Sequence, residues 1–505
     1  MILVDASSHF RKAVAYMEGS LNGEPHEVDL AKAEGILNEI LNYNVGELTI
    51  LFALGSLHLS RGNSALAIQI LTSVVSQRLD YGEAWNNLGL AWKNVPDGDP
   101  KAFEKAEVAL RQAAKYFKGE ALADIYCNLA AIKVGRNSPE DVLKWVEKAL
   151  EASPGHEKAI WHQGLAYLEL RRWDVAWEAH DARLRGGAPG EIAVRNYHGP
   201  DGMTPTWDGK SPGLIVIHGE QGVGDEIMFA TCIHDALKVP GTRFVFEPGP
   251  RMEKLFARTF PEIKVFGTHD TDGRGWIGEL GKPDYKIPLG SLPRLFRRSP
   301  EAFTGRPYLV ADAAKRQWWG DKLNALGRRP NIGIAWQGGV AKTRYDARSF
   351  HPAMYKPMFD AVDANWISLQ YDPTAQHCVN EVRDNLGVKL VHWPKAVEQR
   401  DPDTGKLSDI DELVALISKL DCVVTVNQTA VHVAGALGVP TITLTPSEPS
   451  WRYSAGEHTD MPWYDSVKQV RQPKGTKAWE PVIEEATANL VAFLRVMDQA
   501  AGVAQ

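Results

Sequence analysis

Cysteine is scarce in this 505-residue chain, with four thiols at Cys127, Cys232, Cys378 and Cys422. They are far apart, with no CxxC pair and no clustering with histidine, a pattern that suits reduced thiols in a cytosolic protein better than a disulfide framework or a zinc site. An excess of basic charge is also missing: Lys and Arg number 56 against 63 Asp and Glu, a net charge of −7. The chain therefore lacks the electrostatic footprint of a nucleic-acid binder. No apolar run approaches the ~20 residues needed to span a bilayer. The opening "MILVDASSHFRKAV" meets charge too early for a secretory leader, so a cytoplasmic location is expected. The glycine turn "GEQGVGD" lacks GK[ST], no Ser-His-Asp arrangement is identifiable, and no DxD pair stands at a strand end. The "DPD" at 401–403 lies in a polar loop, so no metal site and no cofactor are expected.

What is present is first a periodicity. Trp85, Leu88, Gly89 and Trp92 fit the tetratricopeptide pattern W-x2-L-G-x2-Y, with Trp in place of Tyr. The same frame starts at 51, 85, 126 and 160, in steps of 34, 41 and 34, and the longer step holds the turn-rich "NVPDGDP". The second-helix signature A-x3-F survives in weakened form as Ala33/Leu37, Ala67/Leu71, Ala106/Leu110, Val142/Val146 and Ala176/His180. A helical hairpin cannot bury its face alone, so about five of them should stack into a solenoid over 1–184. Its groove is expected to hold a protein or peptide partner; the bland alternative is that the helices only support the neighbouring domain.

Beyond 184 the texture changes. Residues 185–212 are rich in Gly and Pro and read as a connector. Short apolar runs then alternate with helical patterns in two series, one over 213–324 from "LIVIH" and one over 325–505 from "NIGIAW". The expected fold is thus an α-helical solenoid followed by two Rossmann-like α/β lobes with parallel sheets facing across a cleft. In such sheets ligands bind beyond the carboxyl ends of the strands.

Four loops stand at those ends. "GEQGVGDEIMFA" (219–230) supplies Glu220, Gln221, Gly222 and Gly224 before Asp225, which either caps the following helix or faces the cleft as a general base. "WQGGVAKTRYDARS" supplies Gln337 and Gly338 with Lys342, Arg344 and Arg348, cations that suit a diphosphate unless merely solvated. "VVTVNQTAVHVAGALG" supplies Asn427 and Gln428 before Thr429, a cap or a phosphate ligand, and His432, an anion partner or a core histidine. The last loop offers Glu448, Trp451, Arg452 and Tyr453, lining a base or sugar pocket or packing the lobe.

In this order, "GEQGVGDEIMFA", "IGIAWQGG" with "KTRYDARS" and "WISLQYD", "LDCVVTVNQTAVHVAGALGVP" and "WRYSAGEHTDMPWYDSVKQVRQ" resemble bacterial tetratricopeptide-repeat glycosyltransferases. The catalytic part is similar to the ADP-heptose heptosyltransferase family, glycosyltransferase family 9, from 213 to about 495. The overall plan resembles O-GlcNAc transferase in architecture alone. The resemblance implies a GT-B fold and inverting, metal-independent transfer from a nucleotide sugar to a protein or surface-glycan acceptor. Asp225 matches the family's candidate base, Thr429 and His432 its phosphate-binding helix start, and Lys342, Arg344 and Arg348 its basic donor loop. One departure stands out: many relatives carry Asp-Thr where this chain has Asn427-Gln428.

The expected chemistry is proton removal from an acceptor hydroxyl by Asp225, or by Glu226 if the helix starts differently, with helix N-termini and cations stabilising the leaving diphosphate. A non-catalytic repeat scaffold with a degenerate nucleotide-sugar module is the alternative that the Asn427-Gln428 departure motivates. A nucleotide-sugar epimerase is a third.

Overall fold

The computed structural model describes residues 6–17, 27–43, 47–95, 101–134, 136, 138–188, 195–198, 202–268, 275–339, 345–371, 373–398 and 408–503. The chain forms two compact units, residues 1–166 and 167–505. In the first run α1 (Ala6–Met17), α2 (Glu27–Tyr43), α3 (Leu48–Ser60), α4 (Ser64–Gln77), α5 (Gly82–Lys93), α6 (Ala102–Ala113), α7 (Gly119–Val134) and α8 (Pro139–Ala152). The unit boundary falls inside α9 (Glu157–Glu169).

Each repeat frame begins on an odd-numbered helix and each A-x3-F variant lies on the even-numbered helix beside it, with Leu37, Leu71, Leu110 and Val146 fully buried. Glycine decides how closely two such helices approach. A Cβ on Gly89 would lie 2.6 Å from Leu110 Cγ, so the absent side chain is the socket for the leucine of the partner helix. Gly55 receives Leu71 in the same way, at 2.7 Å. Overpacking such a contact costs about 1–3 kcal/mol. Gly89→Val is expected to lower the midpoint at which helical circular dichroism is lost on heating; an unchanged midpoint would remove the socket.

The second unit opens with the rest of α9 and with α10 (Trp173–His180), so the last repeat helix packs with the α/β part rather than with the array. The first lobe is a parallel sheet of β1 (Gly213–His218), β2 (Thr242–Glu247), β3 (Lys264–Val265) and β4 (Tyr285–Pro288), in the order β3-β2-β1-β4. The second holds β5 (Asn331–Ala335), β6 (Asn365–Ser368), β7 (Leu390–His392), β8 (Cys422–Val426), β9 (Thr441–Thr445) and β10 (Val467–Arg471), ordered β10-β9-β8-β5-β6-β7 and parallel throughout. Strands buried on both faces read as the continuous apolar runs seen in the sequence. A 24-residue helix, Glu480–Val503, buries Val482, Ile483, Ala486 and Leu490 in the core of the second lobe.

The 185–212 segment differs from the connector expected of it. Trp207 is fully buried and its N–H donates to the Lys286 carbonyl at 2.8 Å, while Arg195 and Tyr197 both bond the buried Glu247 carboxylate. Its described residues belong to the first lobe. Gly and Pro content alone did not distinguish an irregular but packed segment from a free linker.

Candidate functional site

The strand order reverses between β5 and β8 in the second lobe and between β1 and β4 in the first, and the crevice at such a switch point is where open α/β sheets take ligands. Three of the four loops picked out in the sequence leave β1, β5 and β8, and the fourth follows β9. In the first lobe β1 ends at His218 and α11 (Val223–Ala230) starts two residues before Asp225. Asp225 both closes the helix start and faces the opposite lobe. One carboxylate oxygen, Oδ2, accepts from the Gly222 N–H at 3.4 Å and so closes the helix start. The other, Oδ1, accepts from Arg452 Nε, on the loop after β9 of the opposite lobe. Arg452 Nη2 also donates to Gln221 Oε1 at 2.9 Å, and its guanidinium lies 4.7 Å from the Trp451 ring centroid.

Two other acids of this turn leave the cleft. Glu226 is buried, its oxygens accept from the Gly249 N–H at 3.2 Å, and it is removed as the alternative base. Glu220, expected on the acceptor-side loop, is buried with Arg183, whose Nε and Nη2 donate to it at 2.9 and 2.6 Å. The Gly290 N–H, from the loop after β4, donates to the same carboxylate at 2.8 Å. Burial raises the Glu220 carboxyl, but the charge and hydrogen bonds of Arg183 outweigh it and hold the group below its ordinary value. Arg183 also bonds Asp181 and Ser291, so Glu220 anchors the glycine turn from behind. Gly222 stands at the N-cap of α11 and Gly224 in its first turn, where a Cβ would lie 2.9 Å from the His432 ring.

His432 is thus a core histidine at the contact between the lobes. Its Nδ1 lies 3.3 Å from the Tyr464 hydroxyl, and burial pushes the imidazole down to about 4, Asp225 opposing and Arg452 adding. A neutral, enclosed ring under Gly224 positions α11 and does not serve as an anion's cation. Thr429 begins the Thr429–Leu437 helix, with Gln428 at the cap position. The Gln428 side chain turns inward to Thr425 Oγ1 at 3.2 Å, and Asn427 Oδ1 accepts from Thr443 and Thr445 at 2.9 and 3.2 Å. Neither amide side chain faces the cleft, contrary to their expected role on the donor; backbone and Thr429 remain there.

From the β5 end, Gly338 meets the same place: a Cβ on it would lie 2.6 Å from the Asn427 carbonyl oxygen. Arg348 Nη1 donates to that oxygen at 3.2 Å, which brings one predicted cation to the switch point. Gln337 is held by Gln370 through its N–H and C=O at 3.0 and 3.3 Å. Lys342 and Arg344 lie outside the described residues. Glu448 is half-buried on the loop after β9. Trp451 is buried against Trp177 of α10 (5.9 Å, edge-on) and stacked on Phe229 of α11 (6.2 Å), so it packs the lobes and lines no base pocket.

Sequence reasoning missed Arg183, Tyr464 and Gln370. Gln370 sits in "WISLQYD", at the end of a strand, which was the available signal; the others carry none in their local sequence. Among the described residues, His351, Cys378 and Glu381 gather ligand-capable atoms within 4.8 Å of one another. His351 Nδ1 accepts from the Ala353 N–H at 3.3 Å, which leaves its proton on Nε2, 3.1 Å from Glu381. That tautomer makes a hydrogen-bonded pair and opposes metal ligation by Nε2.

Comparison with known proteins follows the same lines. Residues 404–482 match the family described as glycosyltransferase family 9 (heptosyltransferase). The chain is 27% identical over 452 residues to protein FlbA of Caulobacter vibrioides, covering 85% of this chain and 70% of that protein. ADP-heptose LPS heptosyltransferase II of E. coli matches with 13% identity and a TM-score of 0.39, over 56% of this chain and 99% of the other. An O-GlcNAc transferase mutant of Thermobaculum terrenum matches with 17% identity and a TM-score of 0.30, over 89% and 92%. The family match covers β8, the Thr429–Leu437 helix, β9 and β10, all within the second lobe.

Proposed function

We propose that the chain transfers a sugar from a nucleoside-diphosphate donor to a hydroxyl of a protein or surface glycan, with inversion and without a metal. The observation that carries this reading is the convergence of Asp225, the start of the Thr429–Leu437 helix, Arg348 and Arg452 at the facing switch points of two parallel sheets. Asp225 takes the acceptor proton as the oxygen attacks the anomeric carbon. The helix N-terminus and the guanidinium groups meet the charge growing on the diphosphate as the bond to the sugar breaks. That Asn427 and Gln428 point into the sheet favours this over the non-catalytic scaffold, because the relatives' Asp-Thr is replaced at positions whose side chains do not face the cleft.

A protein acceptor is supported by a polar row in the repeat unit. Asn87 donates to Ser56 Oγ (2.9 Å), Asn86 to Asn87 Oδ1 (3.2 Å), Asn128 to Asn86 Oδ1 (3.0 Å) and Lys158 to Asn128 Oδ1 (3.2 Å). These residues run from α3 through α5 and α7 to α9, one step per repeat, and each amide keeps hydrogen-bonding capacity for an extended chain. Asn128→Ala with Lys158→Ala is expected to cut transfer to a protein acceptor by about tenfold, the worth of one or two net hydrogen bonds. Intact-protein mass spectrometry reads this, and undiminished transfer takes the row out of acceptor binding. A mass-spectrometric screen of nucleotide sugars for binding and cleavage tests the reading as a whole. Conversion of a donor without any acceptor would point to an epimerase instead.

A further inference from the structure

Both oxygens of the candidate base are engaged by the protein itself: Oδ2 by the Gly222 N–H and Oδ1 by Arg452. A carboxylate tied to a guanidinium is a poor acceptor for a hydroxyl proton. The bond also spans the cleft, because Arg452 belongs to the second lobe and Asp225 and Gln221 to the first. Among the described residues, the non-glycine positions with left-handed backbone are Arg171 (φ 57°), Gln221 (φ 64°) and Ser454 (φ 61°). All three meet at this contact. Gln221 accepts from Arg452, Ser454 follows it by two residues, and Arg171 Nε donates to Ser454 Oγ at 2.9 Å. The three lie on separate segments, and strained backbone of this kind persists where surrounding structure holds it and clusters at functional sites.

We propose that Arg452 is a donor-operated switch on the base: without donor it occupies Asp225 and Gln221, and a bound diphosphate draws the guanidinium away and frees Asp225. The inference rests on the reading of the cleft as a nucleoside-diphosphate-sugar site. Its physical ground is a competition. The Asp225 and Arg452 side chains are 18% and 19% exposed, so the pair borders solvent and a ligand can reach it. A diphosphate offers the same guanidinium more charge and the bidentate geometry it prefers. Arg452 stands on the loop after β9 and bonds Asp225, the residue after Gly224, whose α-carbon packs against the His432 ring in the first turn of the Thr429–Leu437 helix, beside the expected phosphate position. The consequence is an order of events: the acceptor is deprotonated only once the donor is seated.

The test is titration calorimetry of ADP, GDP, UDP and CDP, in EDTA, into the full-length chain and its Asp225→Asn, Arg452→Gln and double variants. With the competitor removed, Asp225→Asn is expected to bind the preferred diphosphate about tenfold tighter, and Arg452→Gln about tenfold weaker. The double variant is expected to match Arg452→Gln, since there is then nothing to release. A gain from Asp225→Asn that persists without Arg452 would be simple removal of a negative charge and overturns the switch, as does unchanged affinity of Asp225→Asn. Gln221→Ala, which removes the second anchor, is expected to tighten binding about threefold and serves if Asp225→Asn does not fold. Binding by the wild-type chain with no change in these variants refutes the switch alone; no binding of any diphosphate refutes the reading of the cleft with it.

Discussion

Replacing Asp225 by Ala is expected to slow sugar transfer by about 10²–10⁴-fold, the range for loss of a positioned general base. The fall should appear in kcat. The donor's diphosphate contacts come from the other lobe, and α11 keeps its Gly222 N-terminus at a cost of about 1 kcal/mol for the lost cap. Glu226 offers no substitute, being buried and bonded to Gly249. A rate within about threefold of wild type in the Asp225→Ala chain would remove the base assignment and leave the carboxylate as a cap and an inter-lobe tie.

Arg183→Ala is expected to destabilise the second unit by about 3–5 kcal/mol, the cost of stranding one partner of a buried ion pair. The Arg183 and Glu220 side chains are each 1% exposed, and Glu220 would be left with the Gly290 N–H and a long bond from the Gln221 amide (3.5 Å) against full burial. The pH dependence is the sharper signature. In the wild type the Glu220 carboxyl is held below its ordinary value, so its contribution to stability is present above the usual carboxylate range and lost as pH falls through the lowered folded value. In Arg183→Ala only His218 and the Gly290 N–H remain to oppose burial, so the carboxyl rises relative to wild type. The variant should then gain relative stability as pH is lowered from neutral towards the usual carboxylate range. Thermal melts of both proteins over that range check this; a loss below about 1 kcal/mol, or parallel pH profiles, contradicts the anchoring role.

Much of the architecture was legible because it is written locally. Repeat frames show as spacing, and Gly89 facing Leu110 is the contact that spacing implies. Strand, glycine and helix succeed one another at 213–230 and strand, polar break and helix at 422–437, so the cleft-side loops could be placed before any pairing was known. What stayed hidden is what depends on distant partners. Glu220 and Asp225 are both acids of one glycine turn, but Glu220 faces Arg183 inside the protein and Asp225 faces Arg452, 227 residues away. Trp451 and Arg452 are neighbours with opposite fates, one packed on Phe229 and the other reaching across the cleft. The 185–212 segment hid its packing because irregular backbone has no period to read.

The central claim is metal-independent transfer that depends on Asp225. Its most direct measurement is the release of nucleoside diphosphate, followed by mass spectrometry in EDTA, from a panel of nucleotide sugars mixed with candidate protein and glycan acceptors. The account predicts that one donor is consumed in step with a sugar-sized mass gain on the acceptor, and that Asp225→Ala abolishes both. A folded wild-type chain that consumes none of the panel, or a variant that consumes it equally well, would contradict it.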